Sequence, residues 1–244
     1  MKRVLNPPFF EIGIKNYLFG DDVLELARTA DHVACRLDVD VLLVTPYTEI
    51  RRVAENTERL IVLAPYMDLL RPGRGMADIL PEALKAAGAE GVVINHCEKP
   101  LSLNAIKRTI ERANELEMLS FVCTESIAES CAVAFFHPDI INPEPTELIG
   151  SGSVSSLDFV RKSIDEIKKI DPAILIEQAA GITNGAQVYD FIMAGAEAVG
   201  AASGICTAKN PFAKAEELID AVARARNDLQ KTVIRRNYGT ENTA

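Results

Sequence analysis

The sequence predicts an α/β fold of eight strand–helix units, and three observations carry that prediction. Short apolar runs alternate with longer stretches of helical periodicity from one end of the chain to the other. No long linker interrupts the 244 residues, so residues 1–244 are expected to form a single domain. Hydrophobic residues make up 48% of the chain and charged residues 25%, which supplies one large core and argues against disorder.

Phe9 to Ile14 reads as the first strand, followed by a helix from Asp22 to Cys35 with Val23, Leu26, Ala27, Ala30 and Val33 on one face. Val41 to Val44 and Leu60 to Ala64 repeat the strand signal around a helical segment from Glu49 to Asn56. The stretch around Arg71-Pro72-Gly73-Arg74-Gly75 breaks the rhythm and reads as a functional or interface arm over about residues 65–78. Alternation then resumes. A helix from Leu80 to Ala87 ends at Gly88 before the strand Gly91 to Ile94, and the helix Leu103 to Leu116 precedes the strand Leu119 to Cys123. A helix from Ile127 to Phe136 stops before Pro138, and Ile140-Ile141 forms a short strand. The series closes with a helix at Leu157 to Ile170, a strand at Ala173 to Ile176, a helix at Ala186 to Ala194, a strand at Ala198 to Ala202 and a helix from Pro211 to about Val233. Right-handed crossovers turn such a series into either a doubly wound sheet or a closed (β/α)8 barrel, and periodicity does not separate the two.

In both architectures the loops after the strands form the functional face. Three titratable residues stand there: Lys15 after the first strand, His96 after Gly91 to Asn95, and Glu144 after Ile140-Ile141-Asn142-Pro143. Proton removal beside a carbonyl needs a base over the C–H bond and donors at the oxygen where enolate charge develops. A carboxylate, an ammonium and an imidazole supply both without a metal ion or another cofactor. Singly, each has a plain structural reading as a snorkelling lysine, a core-edge histidine and a loop glutamate; joint placement favours chemistry.

Residues 144–152, Glu-Pro-Thr-Glu-Leu-Ile-Gly-Ser-Gly, have the composition of a hinged lid. Small residues around Gly181 and at Ser203-Gly204 follow two late strands, where backbone amides can approach a phosphate. The formal charge of −9 disfavours nucleic acid and anionic membrane as partners while leaving room for one small anion. Five scattered cysteines read as free thiols, with Cys97 a plain helix-start residue rather than a nucleophile. Met1-Lys2-Arg3 followed by Asn6-Pro7-Pro8 has no secretory apolar run, so a cytoplasmic protein is expected.

These residues resemble the triosephosphate isomerase family, and its shorter archaeal forms in particular. Ile14-Lys15 is similar to the lysine motif after the first strand, Asn95-His96-Cys97-Glu98-Lys99 to the histidine motif after the fourth, and Glu144 to Gly152 to the base and its loop. The resemblance implies a single-domain (β/α)8 TIM barrel that interconverts glyceraldehyde 3-phosphate and dihydroxyacetone phosphate, a step of glycolysis and gluconeogenesis. It implies that Glu144 moves the proton, His96 polarises the carbonyl, Lys15 contacts substrate and Glu98 supports them. Gly13, Ile149, Gly150, Gly181, Ser203 and Gly204 would then surround the substrate and its phosphate, and the arm would join a homodimer or homotetramer. Two positions depart from the family pattern: Gly13 stands where the family has asparagine, and Met76 where it has threonine. Gly13 therefore supports an alternative, isomerisation or racemisation of a longer sugar phosphate such as a tetrulose phosphate. A second alternative is a non-catalytic phosphometabolite-binding or interaction protein, against which the joint presence of Lys15, His96 and Glu144 argues.

Overall fold

The computed structural model describes residues 1–148 and 153–239, with side chains up to Thr232. Its eight parallel strands are β1 (Phe9–Gly13), β2 (Val41–Val44), β3 (Ile61–Ala64), β4 (Gly91–Ile94), β5 (Leu119–Thr124), β6 (Ile140–Pro143), β7 (Leu175–Gln178) and β8 (Ala198–Ala201). Closure decides between the two architectures. β1 pairs in parallel with β8, from Phe9 opposite Ala198 to Ile12 opposite Ala201, so the sheet is a barrel in the order β1 to β8.

Nine helices follow among the described residues: α1 (Asp21–Leu37), α2 (Ile50–Ala54), α3 (Pro81–Ala86), α4 (Leu103–Glu115), α5 (Ile127–Ala134), α6 (Leu157–Ile170), α7 (Gly185–Met193), α8 (Ser203–Cys206) and α9 (Pro211–Gly239). Their starts are written in the sequence. Ser102, Ser126 and Ser156 accept from the amides of Ala105, Glu129 and Phe159, Asn184 and Gln187 form a capping box, and Pro81 opens α3.

Alternation along each strand divides the core in two. Outward residues such as Phe10, Ile12, Val41 and Leu43 pack under the helices, while Phe9, Leu42, Ile61, Leu63, Val93, Leu119, Phe121 and Ile140 fill the lumen. The clearest differences from expectation are three. β7 lies further along than Ala173 to Ile176, because Glu177 and Gln178 are buried strand residues and an apolar-run criterion stops at them. The helix expected over Glu49 to Asn56 is a 3-10 turn and the short α2, and α8 is a turn of helix with too few residues to show periodicity.

Candidate active site

Each expected catalytic side chain is set by a backbone feature at a strand end. Lys15 follows β1 with φ 49°, and its Nζ donates to Glu98 Oε1 at 3.2 Å. Burial disfavours the ammonium, but the Glu98 carboxylate beside it, together with Glu144, raises the lysine pKa. The charge is therefore held.

His96 follows Asn95, which takes φ 61°, a left-handed geometry that asparagine tolerates. Asn95 Nδ2 donates to the Cys123 carbonyl and to Glu129 Oε1, both at 3.0 Å, and its Oδ1 accepts from the Leu101 amide at 2.8 Å. That buried amide locks both ends of the loop. The Glu98 N–H donates to His96 Nδ1 at 3.1 Å, which leaves Nε2 as the proton-bearing nitrogen of a neutral ring. Burial, and next the Lys15 cation, lower the His96 pKa, so the neutral ring is the one favoured.

Glu144 leaves β6 with its N–H on the Thr124 carbonyl at 2.7 Å, and Asn142 Nδ2 lies 3.4 Å from its Oε2. Burial raises its pKa against the pull of Lys15. A carboxylate held this way is a stronger base than one in water.

Lys15, His96 and Glu144 line one cavity of about 580 Å³, together with Gly13, Glu98, Gly181 and Ser203. This volume is in the range of small-molecule sites. Gly181 takes φ 72°, and a Cβ there would collide with the Ser153 carbonyl, so the chain returning from the expected lid lies directly on this turn. Gly204 sits behind the wall, where a Cβ would collide with the Ile182 carbonyl. Ile149 and Gly150, with the middle of the expected lid, lie outside the described residues. Cys97 is half-buried and burial raises its pKa, which keeps the thiol protonated and agrees with its plain reading.

Sequence reasoning passed over the cavity floor. Glu11 lines the cavity from β1, Asn142 from β6, and Glu177 of β7 lies wholly buried close by. The available signal was a charged residue inside each of two strands whose other residues are mostly apolar.

Comparison with known proteins follows the same residues. A family model described as triosephosphate isomerase matches residues 14–190, a span that carries Lys15, His96, Glu98, Glu144 and Gly181. The chain belongs to the triosephosphate isomerase family. Among its relatives, triosephosphate isomerase of Methanobacterium bryantii is 34% identical over 92% of this chain and 100% of its own length. That of Methanothermobacter thermautotrophicus is 36% identical over 89% and 95%, and that of Saccharolobus solfataricus 34% identical over 91% and 99%.

The arm is anchored at its base and exposed beyond it. Asp68 holds its base, accepting from the Ile79 amide at 2.7 Å and from the Tyr66 hydroxyl at 2.8 Å. Beyond it Met76 is 93% exposed, and Phe19 is 78% exposed. No described helix is long and apolar enough to cross a membrane.

Proposed function

We propose that the cavity interconverts glyceraldehyde 3-phosphate and dihydroxyacetone phosphate with Glu144 as the base, His96 as the electrophile and Lys15 as the fixed cation. The observation that carries these roles is the convergence of the three on one cavity, with His96 Nδ1 occupied by the Glu98 amide. Glu144 removes the proton from the carbon beside the carbonyl. The neutral His96 Nε2–H donates to the oxygen on which charge develops, and the Lys15 ammonium offsets the negative charge of the enediolate. Glu144 then returns the proton to the neighbouring carbon, while His96 Nε2 gives its proton to one substrate oxygen and takes one from the other, so that both groups end the cycle in their starting protonation states.

Amides at the Gly181 and Ser203-Gly204 turns hold the phosphate, and Ile149 and Gly150 close over it as part of the lid, excluding water. The exposed arm with Met76 is the contact through which copies of the chain associate as a dimer or tetramer.

Turnover in deuterated solvent tests the reading. The wild type should place solvent deuterium on the product carbon, and Glu144→Gln should lower kcat by about 10²–10⁴-fold, the usual contribution of a general base. Absence of deuterium from product and recovered substrate would defeat it.

A further inference from the structure

β7, β8 and β1 are neighbours in the barrel wall, and each turns one unusual residue into the lumen. Glu11 stands in register with Gly200, and Glu177 with Ala198 two residues below it. A Cβ on Gly200 would collide with both Glu177 Oε1 and Glu11 Oε2, so the missing side chain is what lets the two carboxyls meet across β8. Gly13 repeats the arrangement one layer higher, where a Cβ would lie 3.2 Å from Glu11 Oε1. The space beside Gly13 is thus bounded by a carboxyl group.

These carboxyls are unlike the other buried acids. Asp40 accepts from the Asn6 amide and faces Arg59, and Glu49 accepts from the Thr48 hydroxyl. Glu177 is wholly buried with neither oxygen bonded among the described residues, Glu11 has no hydrogen bond there either, and Asn142 Oδ1 beside them is equally unpartnered. Such groups cost stability unless something satisfies them, and the rest of the lumen shows that apolar side chains fill it readily. Of the two carboxyls, Glu11 reaches the cavity.

In the proposed reading the phosphate of a triose goes to the late turns and its two reacting oxygens to Lys15 and His96, which leaves Glu11 without a substrate group to bind. A sugar phosphate with one more hydroxylated carbon brings a group that both donates and accepts. We propose that Glu11, backed by Glu177 across Gly200, is a specificity-determining residue that hydrogen-bonds a hydroxyl beyond the reacting carbons, so that the same isomerase site also accepts, and holds more tightly, a phosphorylated sugar longer than a triose. This rests on the isomerase reading of the same cavity. Burial and the nearby Glu144, against the weaker pull of Lys15, raise the Glu11 pKa to about 8, so at neutral pH it is a protonated donor.

Calorimetric titration with two polyol phosphates that cannot isomerise, sn-glycerol 3-phosphate and erythritol 4-phosphate, tests the assignment. The wild type should bind the four-carbon compound at least tenfold more tightly. Glu11→Leu should reduce that preference below twofold, and Glu11→Gln, which keeps the shape and a donor, should recover part of it. Equal wild-type affinities would overturn the proposal, as would a folded Glu11→Leu that keeps the preference. If Glu11→Leu does not fold, Glu11→Ala, which also removes the hydrogen-bonding group, decides: a preference unchanged from wild type would equally overturn the proposal. Solvent-deuterium exchange on the same wild-type sample, with three- and four-carbon sugar phosphates, separates the two claims: no exchange with either defeats the isomerase reading, while the binding preference is read independently.

Discussion

From β2 to β5 the barrel lumen is filled by Leu42, Leu63, Val93 and Phe121, whereas from β6 round to β1 the inner wall adds Asn142, Glu177, Gly200 and Glu11 to the apolar Ile140, Ala198 and Phe9. Both halves use the same inward positions of the same kind of strand. One half turns burial into packing energy, and the other leaves polar groups without partners among the described residues, at the floor of the cavity that Glu144 lines. The first half therefore holds the barrel together, while the second keeps polar groups at the cavity floor at a cost in stability.

The largest expected effect lies in the apolar half. Phe121→Ala should destabilise the fold by about 3–5 kcal/mol in a urea melt, the range for an aromatic side chain removed from a core, with the pH dependence of stability unchanged. A changed pH slope would mean that the two halves are not separable.

Glu177→Gln should act in the opposite direction. The Glu11 pKa is raised from an ordinary 4.5 to about 8, and Glu177 is raised as well, by burial and by the Glu11 charge. The unfolded chain releases these protons near 4.5 while the folded protein retains them, so the stability they contribute is present below 4.5 and lost as pH rises toward 8. Removing one carboxyl should raise stability at pH 7 and flatten the decline between pH 5 and 8. Melting curves across that interval check both, and a variant less stable than wild type at pH 8 would show that the pair is satisfied in solution.

The smallest expected effect is on the rate. As Glu11 ionises near pH 8 it adds charge facing Glu144 and Glu177, with Lys15 the nearby cation, and it ceases to donate. Wild-type kcat/KM should fall by up to about tenfold above that pH, roughly 1.4 kcal/mol, and Glu11→Gln should lack this alkaline limb whatever its overall rate. An identical limb in both proteins would assign it to another group.

Much of this molecule is written locally. The strand runs Val41 to Val44 and Gly91 to Ile94 and the helix Leu157 to Ile170 match the structure residue for residue, because burial on both faces and helical periodicity leave a pattern within a few residues. Lys15, His96 and Glu144 were legible for the same reason, since each follows an apolar run directly and strand ends in such folds point to one rim. Asn95 was legible only as part of a motif; its hold on Cys123, Glu129 and Leu101 depends on elements brought together by folding.

The sequence by itself determined the order of elements, their caps and the three polar groups at the strand ends. Only the tertiary structure decided that β1 closes on β8, and with that closure that Glu11 and Glu177 meet across Gly200. The physical reason is that periodicity records which face of an element is buried but not which strand lies beside it. A charge inside an apolar strand reads as an isolated anomaly until barrel closure places a second one next to it.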